Sequence, residues 1–146
     1  MSSRPPGLQR PVRAPTHLWV VGLLLVLWNC WGLFGAVAAQ RGLFPMPDEA
    51  VSYFEQQPAW FMLLADLSPL AGVAGSIALL MQSRWASLLF AAQLAIVVLA
   101  NLYEVVIGTS LLLRGGPVVG STIFLAVVLA AQVLYARYLL KRDVLY

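Results

Sequence analysis

Four long apolar blocks leave this chain very few folds. They cover residues 18–39, 59–82, 85–112 and 117–140. Each meets or exceeds the roughly 20 residues that span about 30 Å of hydrocarbon as a helix. Hydrophobic residues make up 61% of the 146 residues and charged residues 10%, whereas a soluble domain carries about 25% charge. Ten-residue stretches of alternating polarity are absent, so the blocks read as helices that satisfy their own backbone hydrogen bonds and not as barrel strands. The expectation is an all-α integral membrane protein, an antiparallel up-down bundle of four transmembrane helices filling residues 17–142. Residues 1–16 read as a flexible basic tail, and 143–146 as a tail end.

The net charge of +3 does not point to nucleic acid, because the basic residues sort by side of a membrane. Arg4, Arg10 and Arg13 precede the first block, Arg84 lies in the second connection, and Arg137, Lys141 and Arg142 follow the last. With an even number of spans all seven fall on one side. Only Arg41 and Arg114 fall on the other, beside Asp48, Glu49 and Glu55. Positive charge marks the cytoplasmic face, so both termini are expected to be cytoplasmic and the lipid bilayer is the first partner. The first block has a rival reading as a cleaved signal peptide, since "AVAAQ" offers Ala36-Val37-Ala38 as a cleavage site. Its apolar stretch is longer than the 7–15 residues typical of signals, however, and holds "WNCWG". Retention as a true span is the expectation; cleavage would leave three.

The longest connection, residues 40–58, contains Pro45 and Pro47, which break any extension of the first span. Asp48 and Glu49 then suit the first turn of a helix. With Val51 and Phe54 three apart and Tyr53 beside them, a short amphipathic helix on the outer surface is expected. The connections at 83–84 and 114–117 are tight turns.

The polar residues inside the spans carry what functional signal there is. Small residues recur at helical spacing: Gly22, Asn29, Gly32, Ala36 and Ala39 in the first span, and Ser68, Gly72 and Ser76 in the second. Ala86, Gln93, Ala100, Asn101, Glu104 and Gly108 share a side of the third, and Ser121, Leu125, Val128, Gln132 and Leu139 a side of the fourth. Such stripes let helix backbones approach closely and mark interior contacts. The amides Asn29, Gln93 and Gln132 read as helix-to-helix ties of roughly 1 kcal/mol each. At about 1.5 Å per residue counted from Arg84, Asp66 lies about 27 Å up, Asn101 about 25 Å and Glu104 about 30 Å. That puts Asp66, Asn101 and Glu104 at one level near the outer boundary, where a carboxylate costs far less than at the centre. Pro69 beside Asp66 frees the carbonyl of Ala65 and suggests a kink or hydration site. On a helical wheel Asp66 points roughly 130° from the small stripe, toward a neighbour other than the one on Gly72, or toward an oligomer interface. Two readings of this cluster stand: proton- or cation-handling carboxylates, or interhelical hydrogen bonds near a wet interface.

Catalysis finds no support. Cys30 is the only cysteine and His17 the only histidine, so no thiol pair, nucleophile–base pair or metal set is available. No phosphate loop or other nucleotide motif occurs. No catalytic residue, metal or cofactor is assigned, and the chain is expected not to be an enzyme.

The stretches "LWNCWGLFG", "PAW", "AGVAGSIALLMQSRWASLLF" and "LYARYLLKRDVL" together resemble a group of small bacterial four-helix inner-membrane proteins. The group is mostly uncharacterised, and some members carry a sugar-transporter label. The resemblance implies a multi-pass protein of the bacterial inner membrane. In that group an acidic residue often follows the first-span "WN..G.F" pattern, where this chain has Gly35. Neither a two-fold repeat nor the broken-helix pair of transporters is present. Two functional expectations follow. The first is association, with itself as a homo-oligomer or with another membrane protein as an accessory subunit. The second is a carrier or pore for a small solute that uses Asp66 and Glu104.

Overall fold

In the computed structural model, residues 15–45, 48–107 and 117–146 are described. Five helices follow in order: α1 (Thr16–Gln40), α2 (Asp48–Gln56), α3 (Ala59–Leu80), α4 (Trp85–Val106) and α5 (Pro117–Lys141). Four are long and apolar enough to cross a membrane, and α2 is the short helix expected in the first connection. The protein is an all-helical, multi-pass bundle. Residues 1–14 and 108–116 lie outside the described set, and with them the basic tail, the reach of the third span to 112, Arg114 and most of the turn at 114–117.

The helix ends follow from local chemistry. Pro15 and Pro58 stand immediately before α1 and α3 in extended conformation, where a missing N–H costs nothing. Three helices close with the same left-handed stop. Gly42, Gln82 and Asp143 have φ of +62°, +56° and +54°. The next N–H in each case reaches the carbonyl five residues earlier: Leu43 to Ala38, Ser83 to Ala78, Val144 to Leu139. This arrangement absorbs carbonyls that a helix end leaves unpaired. It also ends the second span at Leu80, two residues before the apolar block runs out.

α3 is the central helix, packed on one side against α1 and on the other against α4, which in turn packs against α5. α1 and α5 close the ring more loosely, through His17 with Tyr135 and Trp28 with Phe124, at centroid separations of 6.1 and 5.9 Å. The two pairs lie eleven residues apart on each helix, so α1 and α5 run antiparallel in register over about 16 Å.

The buried apolar core lies at the end of the bundle that carries Arg84 and Lys141, called here the basic end. Leu18, Leu79, Ala86, Phe90, Ala136 and Leu139 are all buried there. Of residues 143–146, expected as a tail end, Val144 and Leu145 join this core, both buried. Tyr146 donates its N–H to Gln82 O at 2.8 Å, and its carbonyl accepts from the N–H of Arg84 at 3.2 Å. The turn between α3 and α4 is thereby clamped to the segment after α5. Apolar side chains such as Leu23, Leu27, Trp31, Leu63, Leu99 and Val127 face outward, as a lipid-facing surface requires.

Candidate functional site

The small-residue stripe of α3 makes room for a knot of side chains from three helices. Gly72 and Gly75 lie where any side chain would collide. A Cβ on Gly72 would fall onto the Asn29 carboxamide and within 2.5 Å of Gln93 Nε2, and one on Gly75 within 2.9 Å of the Phe90 ring. In that space Gln93 Nε2 donates to Asn29 Oδ1 at 2.8 Å, joining α4 to α1. Asn29 Nδ2 donates to Ser76 Oγ at 3.2 Å and to its own helix at Leu25 O at 2.9 Å. Ser76 Oγ donates to Gly72 O at 2.7 Å. Asn29, Ser76 and Gln93 are all buried. One atom of the knot is left over: Gln93 Oε1 is buried and has no hydrogen-bond partner among the described residues.

A cavity of about 360 Å³ opens directly against this knot. Asn29 and Gln93 form its floor, Trp28, Leu64, Ile96 and Leu129 line its walls, and it extends toward the α2 end past Ala100. Pro69 contributes to the wall without interrupting α3, which runs unbroken from Ala59 to Leu80. Among the described residues no acidic or basic side chain lines the cavity.

The carboxylates predicted to form one cluster are engaged separately. Asp66 accepts a hydrogen bond from Gln40 Nε2 at 2.8 Å, tying α3 to the last residue of α1. Since α1 also supplies the Asn29 that abuts Gly72, Asp66 does not turn to a different neighbour from the small stripe. The long Gln40 side chain reaches round to it. Glu104, buried, accepts from the hydroxyl of Tyr53 on α2, and Asn101 donates to Val97 O of its own helix at 2.8 Å. Each of the three thus has its bond elsewhere, and of them only Asn101 lines the cavity. Gln132 is buried, and neither of its amide atoms has a partner among the described residues.

Several contributions were not read from the sequence. Tyr53, read only as a neighbour of Val51 and Phe54 on the outer helix, turns inward, because a phenol can bury its ring and still satisfy a carboxylate. Gln57, next to α2, is buried too. Trp60 meets Phe61 and Tyr103 edge to face, Tyr103 at 4.6 Å, and Phe61 and Tyr103 lie tilted against each other at 5.5 Å. The usable signal was depth: Gln40 and Asp66 both lie within about two turns of the same boundary. Among the described residues no three His, Cys, Asp or Glu side chains converge as a metal site.

Comparisons with protein-family models, curated proteins and solved structures return no match. The functional argument therefore rests on this geometry.

Proposed function

We propose that this chain acts by association within the bilayer, as a homo-oligomer or as the accessory subunit of another membrane protein, and is not an enzyme. In this reading it resides in the bacterial inner membrane with both ends cytoplasmic, an orientation that its distribution of arginine and lysine supports. The observation that carries the proposal is the seam between α1 and α5. Beyond Trp28 and Phe124 the antiparallel register sets Gly32 opposite Gly120. Among the described residues, a Cβ placed on Gly35 or Gly120 meets nothing within 4 Å, and one on Gly32 meets only Pro69 at 3.9 Å. The seam therefore exposes bare backbone where a further transmembrane helix can approach closely. The carboxylates support the same reading, since both serve as ties between helices.

Cysteine cross-linking tests it. In a Cys30→Ala background, a cysteine at Gly35 or Gly120 is expected to give an oxidant-dependent dimer in native membranes, or a discrete adduct with one other membrane protein. A cysteine at the lipid-facing Leu63 should give neither. A chain that stays monomeric in bilayer discs and yields no adduct from either glycine position defeats the proposal.

A carrier or pore is the second reading, favoured by the cavity. It requires that Asp66→Asn abolish a pH-dependent solute flux in vesicles, and an unchanged flux removes it.

A further inference from the structure

We propose that the groove at the basic end, between the first turn of α4 and the last turn of α5, is a binding site for an anionic phospholipid. Arg84 holds its phosphate, and Leu88 and Leu140 carry the start of an acyl chain. The inference goes beyond the association reading and stands independently of it.

Three features fix the chemical class. The first is the order of the chemistry with depth. The groove has a volume of about 510 Å³ and is lined by Arg84, Trp85, Ser87, Leu88 and Leu140, a size within the range of ligand pockets. Arg84 stands immediately before α4, Trp85 is the first residue of that helix, and Leu88 lies one turn further into the span. Leu140 reaches the same space from α5, one residue before Lys141. A cation therefore sits at the head-group level, beside an interfacial tryptophan, with apolar surface directly beneath it. Leu88 is 56% exposed and Leu140 37%, so both have room for a chain against them. The second feature is charge. Arg84, Arg137, Lys141 and Arg142 gather at this end against a single acid among the described residues, Asp143. No carboxylate lines the groove, and none pairs with any of the four bases among the described residues. A guanidinium offers parallel N–H groups that fit two oxygens of a phosphate, and the exposed Trp85 indole N–H is a further donor. A zwitterionic head group would bring its own ammonium among these bases, whereas an anionic one brings only complementary charge. The third feature is preorganisation. The Arg84 N–H donates to Tyr146 O at 3.2 Å, and Ser87 Oγ donates to Arg84 O at 3.2 Å. The turn that carries the guanidinium is thus held from both sides. Arg142, by contrast, lies over the Tyr138 ring at 4.8 Å and outside the groove.

The test uses the full chain in phosphatidylcholine bilayers that contain a small fraction of one of two probes: phosphatidylglycerol or phosphatidylcholine, each bearing a nitroxide high on one acyl chain. A nitroxide quenches tryptophan at close range, and the quenching that Trp85→Phe removes reports the groove. Phosphatidylglycerol is expected to produce that quenching about fivefold more tightly than phosphatidylcholine, the factor that one basic residue near an anionic lipid supplies. Arg84→Gln, at an exposed position, should bring the ratio to about one. Ser87→Leu keeps every charge and fills the space, so it too should erase the preference with helix content unchanged. Arg142→Gln should retain most of it. Equal quenching by the two lipids overturns the assignment. So does an equal loss from Arg84→Gln and Arg142→Gln, which would show diffuse attraction by the whole basic end, and so does a preference that survives Ser87→Leu. Displacement of the labelled lipid by glycerol phosphate, against chloride at the same ionic strength, would show a site for the free anion and overturns it as well.

Discussion

The two ends of this bundle solve the same problem differently. At the basic end, Leu18, Leu79, Phe90, Ala136, Leu139, Val144 and Leu145 form one buried apolar cluster, and the turn after α3 is clamped by the backbone of Tyr146. At the α2 end, side-chain hydrogen bonds do the holding: Gln40 to Asp66 and Tyr53 to Glu104, with a cavity between them and the central amide knot. In lipid, apolar contact gives no advantage over the surrounding chains unless it is tighter than lipid packing. A dense core is therefore a rigid anchor, and an open region held by polar ties is where the molecule has freedom to receive something. Dense packing opposes change in volume, whereas the polar end opposes loss of a partner.

That contrast can be broken most severely at the basic end. Phe90→Ala should lower unfolding stability by about 3 kcal/mol or more, measured by detergent-induced loss of helix signal. Leu125→Ala, in the wall of a space already empty, should cost under about 1 kcal/mol by the same measure; equal losses would abolish the distinction between the ends. Gly72→Ala comes next. Its methyl group collides with Asn29 and Gln93, so a loss of about 2 kcal/mol is expected. Asn29→Ala in the same background should then add little, because the knot is already broken. Tyr53→Phe should cost about 1 kcal/mol and speed proteolysis within residues 40–58 while leaving the basic end protected. The smallest effect belongs to Ala100→Leu, which should shift stability by less than about 1 kcal/mol in either direction, because the added side chain has room. A large loss there would mean that the α2 end is as tightly packed as the other.

Sequence alone reached the framework with little error, and it singled out Asn29, Gln93, Gly72 and Ser76 as stripe residues. Spacing at 3 and 4 reports which face of a helix turns inward, and these residues share an inward face. Spacing does not report which neighbouring helix a face meets, nor how far a long side chain reaches. The single level assigned to Asp66, Asn101 and Glu104 therefore says nothing about partners. Gln40 takes Asp66, Tyr53 takes Glu104, and Asn101 folds back on its own helix. The burial of Val144 and Leu145 was equally invisible, because it depends on a left-handed turn at Asp143, and aspartate marks such a turn far less clearly than glycine does.

What the sequence by itself determined is a matter of solvent. Runs of more than twenty apolar residues have one comfortable environment, and in that environment the backbone must be helical. The number of helices and their back-and-forth course follow from those two facts. Which helices touch, where the last methylenes fit and where a gap remains are three-body questions, decided by the volumes of side chains that meet only after the helices assemble. Gly72 became the seat of the amide knot, and Gln93 Oε1 was left buried without a partner among the described residues, only when α1, α3 and α4 came together.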